Sequence, residues 1–230
     1  GSKAFGVKYE DINKDQRFIS KTAVLGLGFG AGAKVLCKAI NIGAKQYGFE
    51  VDVDEEEAKR LVDVYREVNY KVKAAWYEGE KVLEAIRDNS HYSFHPGFLP
   101  LEVMGERGIQ LPSGLFIKYP NLAQVETEGK TEWQYEGRRK MKKRIYGPKV
   151  LQNCTQSVAR CVLAEAMVKV NKKYPIALCV HDSIYAVVPS EEAEAAYEFM
   201  MAKLTEQPKW APDLPLAAEG AIGQNLKEAG

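Results

Sequence analysis

The feature that most constrains this fold is a change in apolar periodicity near residue 90. Before it, apolar side chains recur every three or four residues, which is typical of amphipathic helices. Beyond it, short β-branched runs alternate with turn signals and one long helical pattern. The 230 residues allow one large domain or two small ones. The sequence therefore predicts an α+β fold, with a nearly all-helical first half followed by mixed helices and strands.

Helix boundaries are predicted from spacing and capping signals. Asn13 with Gln16 forms a capping-box pattern, and so does Asp54 with Glu57. A break near residues 69–70 divides the longest pattern. The predicted helices cover residues 13–27, 33–47, 54–88, 148–172 and 190–205.

Strands are predicted where short apolar runs lie between turn signals. Residues 91–100 are predicted to be a loop because Pro96 and Gly97 form a turn signal. The polar residues 121–146 predict a hairpin or a long loop. Strands are expected at 115–119, in a hairpin over 175–188, and at 214–222.

Charge and cysteine content exclude several classes of protein. The net charge of +1 gives no global basic field, so any nucleic-acid contact must come from local patches. The four cysteines lack CxxC spacing and a zinc pattern, which favours buried reduced thiols in a cytoplasmic protein. No apolar run reaches the about 18 residues of a membrane-spanning helix, and we expect no membrane partner.

Four residues of the first predicted helix and the run after it recur at every fourth position: Arg17, Lys21, Leu25 and Phe29. Each step of four advances about 40° beyond a full turn, so the first three share a face. Two cations near a helix N-terminus suit a polyanion such as a triphosphate, and the aromatic ring could stack on a base. The structural alternative is an amphipathic helix with solvated cations.

The glycine-rich run over residues 26–32 fits other nucleotide-binding patterns poorly. A helix rather than a strand precedes it, and the strict GxGxxG pattern fails at Ala31. A Walker A loop is excluded because no GK[ST] is present.

Asp182 lies between two apolar runs, at the expected tip of a hairpin. A carboxylate held and exposed in this way suits a Mg²⁺ ligand. A Ser/His/Asp triad with His181 and Ser183 is excluded, since adjacent strand residues point to opposite faces. The structural alternative is an Asp that simply makes a turn.

Amides cluster at the start of the predicted helix 148–172, at Gln152, Asn153 and Gln156. Amides one turn apart can bind hydrogen-bond acceptors in a minor groove, although polar residues are also ordinary at the start of a buried helix. A basic run precedes this helix and could either track phosphates or form a solvated surface. Its cations are Arg138, Arg139, Lys140, Lys142, Lys143 and Arg144.

In their order along the chain, these segments resemble family A DNA polymerases of the phage-like type. Residues 17–30, RFISKTAVLGLGFG, resemble the fingers motif RxxxKxxxFGxxYG. Residues 156–167, QSVARCVLAEAM, resemble the palm helix that follows the minor groove, and residues 179–183, CVHDS, resemble the palm motif VHDE. Stretches at 111–114, 146–147, 210–212 and 214–219 resemble phage-type members, so the resemblance covers nearly the whole chain.

The resemblance implies an incomplete right-hand polymerase fold. Residues 1–107 would form a helical fingers subdomain with its triphosphate-binding helix near 13–30. Residues 108–230 would form a palm subdomain with an antiparallel sheet and packed helices. The palm would include a minor-groove helix near 148–172 and a catalytic hairpin at 176–188.

The resemblance also implies roles for the fingers residues. Arg17 and Lys21 would bind the incoming triphosphate, and Lys21 would be a candidate proton donor. Leu25 would lie beside the sugar, where the family has Phe or Tyr. Phe29 would lie at the template base, with Gly30 following it, where the family has Tyr and Gly.

In the palm, Gln152 and Gln156 would contact the primer-template minor groove, with Arg138, Arg139 and Lys140 as further candidate DNA contacts. Asp182 would be a catalytic metal ligand and His181 would lie near the primer terminus. Ser183 replaces the usual Glu, so the second acid of this motif is absent.

The family's first palm motif, which carries the other essential Asp, finds no match among the residues before Arg17. The thumb and any exonuclease domain find no match either. We therefore expect a split subunit, a processed product or a fragment that needs a second polypeptide. Palm strands near 111–119, 176–188 and 214–222 would leave the position of the missing strand unpaired.

The predicted activity is template-directed addition of dNTPs to a primer 3′ end with two Mg²⁺ ions, in the host cytoplasm if the protein is phage-encoded. Two alternatives belong to other classes of protein. One is a DNA-binding accessory subunit whose active site has decayed, and the other is an α+β interaction module without a nucleic-acid role.

Overall fold

The computed structural model describes residues 1–97, 99–127 and 129–228. These residues divide into two compact units. The first unit comprises Gly1–Gln110 with Phe116–Cys154, and the second comprises Leu111–Leu115 with Thr155–Gly230. Among the described residues, no helix is both long enough and apolar enough to cross a bilayer.

Five helices open the first unit; α2 to α5 agree closely with the prediction, whereas the short α1 was not predicted. Asn13 caps α2 in a full capping box with Gln16. Asp54 caps α4 by accepting from the Glu57 backbone amide, but the Glu57 carboxylate binds Arg60 instead of closing a second box. The helices are α1 (Ser2–Phe5), α2 (Lys14–Leu27), α3 (Ala33–Tyr47), α4 (Glu55–Val68) and α5 (Tyr70–Arg87).

Helices α2, α3 and α4 bury a shared apolar core. Leu27 of α2 and Leu36 of α3 are each 1% exposed, and Ala58 of α4 is fully buried. Burying a leucine side chain contributes about 1.5–3 kcal/mol, so these contacts fix which face of α2 points outward.

A four-stranded antiparallel sheet follows, in the order β1-β2-β3-β4. The expected loop at 91–100 is wrong in its first part, because His91–Phe94 pairs with Leu101–Met104. Phe94 is fully buried, and its burial outweighs the turn signal that follows. Phe98 lies outside the described residues. The strands are β1 (His91–Phe94), β2 (Leu101–Met104), β3 (Ile109–Gln110) and β4 (Phe116–Ile117).

The polar segment 121–146 forms a separate three-stranded antiparallel sheet. Its strands are β5 (Ala123–Thr127), β6 (Lys130–Glu136) and β7 (Lys142–Ile145). The predicted hairpin corresponds to β5 and β6, and β7 adds a third strand; Glu128 lies outside the described residues. Trp133 and Ile145 pair in register and are buried, so they hold one end of this sheet.

The chain continues through α6 (Gly147–Asn171), β8 (Ile176–Val180), β9 (Ser183–Ala186) and α7 (Ala193–Leu204). The predicted strand at 214–222 is wrong, because residues 214–222 carry no strand. Pro215, the second residue of that run, lacks a backbone N–H, which removes a donor that a strand needs.

The expectation that 111–119, 176–188 and 214–222 share one sheet is also wrong. Strand β4 pairs with β3, whereas β8 and β9 form a two-stranded sheet by themselves. The α+β class with antiparallel sheets and packed helices is confirmed.

Candidate functional site

The face of α2 opposite its buried side carries the predicted triphosphate-binding residues. Arg17 and Lys21 are exposed, and neither side chain has an ion pair or a hydrogen bond within the described part of the chain. Leu25 is 58% exposed and Phe29, just beyond the helix, is 40% exposed. The structure therefore leaves both cations available to an anion.

Lys14 extends this stripe by one turn and was missed by sequence reasoning. Its spacing of three residues from Arg17 puts it within about 60° of the same face. Like charges at this spacing destabilise a helix by about 0.2–0.5 kcal/mol per pair. The one acid of α2, Asp15, lies on another side, so an external anion would relieve the repulsion.

The backbone conformation and the packing just beyond α2 both favour glycine at position 30. Its φ of 77° is left-handed, and a Cβ there would lie 2.7 Å from Pro148 Cγ. Trp76 Nε1 on α5 donates to the nearby Gly28 carbonyl at 3.3 Å. These contacts fix the backbone on both sides of Phe29 while its ring stays partly exposed.

Helices α5 and α6 approach each other through two glycines. A Cβ on Gly79 would lie 2.5 Å from the Gly147 carbonyl oxygen. The Gly147 amide donates to Glu80 Oε1 at 2.6 Å, which satisfies a free donor at the start of α6. The start of α6 is therefore positioned by backbone contact with α5.

The three predicted minor-groove amides differ in their availability. Gln152 accepts from Lys149 Nζ at 2.7 Å. Asn153 Nδ2 donates to Tyr119 Oη at 2.8 Å, and burial raises the pKa of that tyrosine well above its ordinary value. Gln156 is exposed, and its side-chain amide has no hydrogen bond among the described residues. It is therefore the amide best placed to meet a ligand.

Asp182 lies at a hairpin tip, as predicted. Val180 pairs with Ser183, so the tip consists of His181 and Asp182, and Ser183 begins β9 rather than belonging to the tip. His181 has a left-handed φ of 53°, which is uncommon outside glycine and concentrates at functional sites. The Asp182 carboxylate is exposed and has no hydrogen-bond or ion-pair partner among the described residues.

Arg160 is a further residue at this tip that sequence reasoning missed. Its Nη1 donates to the His181 carbonyl at 3.4 Å and lies 3.5 Å from Cys179 Sγ. The signal in the sequence was its position one helical turn after Gln156. The contact joins this stretch of α6 to the hairpin tip.

The described residues do not form a complete metal site. They contain no group of three or more His, Cys, Asp or Glu side chains that could hold a metal ion. The exposed Asp182 oxygen atoms are of the type Mg²⁺ prefers, but a cation needs further oxygen ligands. A metal here would depend on groups from outside this set.

The four cysteines contribute neither a disulfide nor a metal-binding group to these sites within the described residues. All four are free thiols, and Cys154 and Cys161 are buried as expected, whereas Cys37 and Cys179 are only partly buried. Burial raises the pKa of Cys154 to about 12, so its thiol stays protonated at neutral pH.

Comparison with protein-family models and with curated protein sequences finds no match. Among solved structures, the chain is similar to the POL domain of Pol1 from M. smegmatis in a complex with DNA primer-template and dNTP. The TM-score is 0.57 with 19% sequence identity, over 94% of this chain and 31% of that chain. The present chain thus spans about a third of that protein's length. At this identity the likeness establishes the fold alone, which is that of an incomplete DNA polymerase domain.

Proposed function

We propose that this chain is the fingers and palm portion of a phage-like family A DNA polymerase that acts in the cytoplasm. The observation that carries the proposal is the exposed, unpaired Arg17–Lys21 stripe on α2, in a chain with a polymerase-like fold. We assign the fingers to residues 1–107 and the palm to residues 108–230.

Arg17 and Lys21 would bind the triphosphate of an incoming dNTP. Charge-assisted hydrogen bonds to phosphate are about twice as strong as neutral ones. They would also stabilise the negative charge that develops on the departing pyrophosphate, with Lys21 as a candidate proton donor. Leu25 gives the sugar a smaller apolar wall than an aromatic residue would, and Phe29 offers a ring that can stack but cannot donate a hydrogen bond.

Gln156 would contact the primer-template minor groove. Its free amide can donate to the acceptors that every base pair presents there, which suits contact without dependence on sequence. His181 would lie near the primer terminus, held by Arg160. Gln152 could join Gln156 only if its bond from Lys149 opened.

Asp182 would be one ligand of the two Mg²⁺ ions used by such an enzyme. When bound, these ions supply charge stabilisation for the attacking and leaving oxygen atoms. Because Asp182 is the single carboxylate that the hairpin tip offers, we propose that a second polypeptide supplies another. That polypeptide would also provide the first palm motif, the thumb and any exonuclease domain.

The test is Asp182→Asn in a mixture reconstituted with the second polypeptide. Losing a metal-binding carboxylate should slow single-nucleotide incorporation by on the order of 10³-fold or more, while DNA affinity stays within a few-fold. Ser183→Ala, one residue away, is the matched control and should retain turnover. Near-normal incorporation by Asp182→Asn would contradict the assignment.

One alternative function has a specific observation in its favour. Leu25 and Ser183 both depart from the resembled motifs, as they would in a DNA-binding accessory subunit that has lost catalysis. Such a subunit would bind primer-template stably and support no extension in any reconstituted mixture. Extension by a mixture that contains the unmodified chain, lost in Asp182→Asn, therefore separates the polymerase from the accessory subunit.

A further inference from the structure

Residues 138–144 form the most concentrated positive charge in the chain. Six of the seven residues are Lys or Arg and none is acidic. Removing these six charges from the net charge of +1 would leave −5, so the remainder of the chain carries a net negative charge. We call this segment, the turn 138–141 with the first three residues of β7, the basic edge.

Five of the six cations form no ion pair with any described residue. Arg144 pairs with Glu132 at 3.2 Å and also lies over the Tyr146 ring. Glu136 stands opposite Lys142 in register, but it accepts a hydrogen bond from Asn121 and forms no ion pair. The exposed cations without an ion pair in the described part of the chain are Arg138, Arg139, Lys140, Lys142 and Lys143.

The backbone presents these side chains at some cost. Arg139 and Lys140 both have φ of 59°, a left-handed conformation that is unfavourable for residues other than glycine and asparagine. The turn is closed by the Gly137 amide, which donates to the Met141 carbonyl at 2.8 Å. A turn selected for stability alone would carry Asn or Gly at these two positions.

The sheet that carries the basic edge is firmly anchored. Trp133 and Ile145 are 7% and 1% exposed. Tyr119 and Tyr135 contact edge to face, with ring centroids 5.1 Å apart. The cations therefore extend from a fixed support rather than from a free loop.

We propose that the five unpaired cations of the basic edge, without Arg144, bind the sugar-phosphate backbone of the primer-template and provide most of this chain's affinity for DNA. The proposal rests on the proposed function for the identity of its partner, and it concerns binding rather than chemistry. Charge complementarity selects the partner, because five exposed, unpaired cations in six residues suit the dense negative charge of a sugar-phosphate backbone. Contacts to phosphate carry no sequence information, as a polymerase requires.

A simpler explanation is that charged residues protect the free edge of β7 from pairing with other strands. That role accounts for Lys142 and Lys143, which lie in the strand. It does not account for Arg139 and Lys140, which lie outside the strand in an unfavourable conformation. The two explanations make different predictions for DNA affinity.

The experiment measures binding of the full chain to a labelled primer-template between about 50 and 200 mM salt, without nucleotide and with a chelator. Each cation that contacts a phosphate contributes about 0.9 to the slope of log affinity against log salt. Replacing all five unpaired cations by Gln should lower the slope by about 3 or more and the affinity by on the order of 100-fold.

Two further variants distinguish the loss of phosphate contacts from a general change in charge or folding. Arg144→Gln is the matched control in the same strand and should leave the slope nearly unchanged, because Glu132 already neutralises Arg144. Arg139→Asn with Lys140→Asn removes two charges while favouring the left-handed turn. That variant should lose DNA affinity with an unchanged or higher unfolding temperature.

An unchanged salt slope in the five-residue variant would overturn the proposal, and so would an Arg144→Gln loss equal to that of Lys143→Gln. The outcome is separable from that of the proposed function. If the five-residue variant loses the salt slope but no mixture extends a primer, the proposed DNA-binding surface is supported and the polymerase function is rejected. If Asp182→Asn loses incorporation as predicted and the five-residue variant keeps its salt slope, the basic edge alone is rejected.

Discussion

The side chains of Arg17 and Lys21 carry the nucleotide-binding hypothesis. They point away from the core because Ile19, Ala23 and Leu27 fill the opposite face of α2. Cations without partners on such a face are free to bind an anion, and they also repel each other until one binds. This combination separates them from ordinary surface charges such as Lys59, which pairs with Asp63 at 3.1 Å.

We expect Arg17→Ala and Lys21→Ala to weaken the use of dNTP rather than DNA binding. A charge-assisted contact to phosphate contributes about 1.5–3 kcal/mol, which corresponds to a loss of roughly 10- to 150-fold in kcat/KM for dNTP. Steady-state kinetics of the reconstituted enzyme, with a separate DNA titration, measure the two effects. Lys45→Ala on α3 is the control, and a loss confined to DNA affinity would reject the assignment.

At the scale of elements, the close approach of α5 and α6 sets where the candidate DNA-contacting helix begins. Glycine at 79 and at 147 lets the two backbones come closer than any side chain would allow. Gly30 and Pro148 make a similar contact between the end of the α2 segment and the start of α6. The end of the α2 segment, α5 and the start of α6 thus pack through close contacts at glycine rather than through large side chains.

We expect Gly79→Ala to destabilise the protein by about 1–3 kcal/mol, since its Cβ would collide with the Gly147 backbone. Gly26→Ala within α2 meets nothing within 4 Å, so it should stabilise by about 0.5–1 kcal/mol through helix propensity. Denaturant unfolding of both variants measures the difference. Equal stability of the two would show that α5 and α6 can separate at no cost.

At the scale of the whole molecule, the described residues supply fewer parts than the proposed chemistry needs. Within the described residues, Asp182 belongs to no group of three or more His, Cys, Asp or Glu side chains that could hold a metal ion. The two-stranded sheet of β8 and β9 also leaves Leu178 and Val180 41% and 45% exposed. Apolar strand residues of this kind are available to a further strand.

We therefore expect the purified chain alone to show no primer extension with Mg²⁺, and extension to appear when the polypeptide carrying the first palm motif is added. The two should form an obligate interface that buries more than about 2,000 Å². Primer extension before and after mixing, with Asp182→Asn as the inactive control, checks this. Robust extension by the chain alone would reveal a second metal ligand that we have not identified.

Much of the helical fold was predictable from local patterns. The caps Asn13 and Asp54, the division near residue 69 and the span of α6 follow from hydrogen-bonding and spacing rules that act within one or two turns. The tip position of Asp182 was predictable for the same reason, since two apolar runs separated by a short polar break specify a hairpin. The stripe on α2 also depends only on helical geometry.

Strand pairing and the use of side chains were decided by tertiary structure. Residues 91–94 became a strand because Phe94 is buried there. Strand β4 pairs with its sequence neighbour β3 rather than with β8, so the two predicted palm strands lie in different sheets. The Asn153 side chain is hydrogen-bonded to Tyr119 and is therefore not free to bind a ligand. The side chains of Gln156 and of the five unpaired cations of the basic edge remain free within the described part of the chain. The sequence by itself determined the elements whose hydrogen bonds are local, whereas contacts between distant residues decided which polar groups remain free to bind.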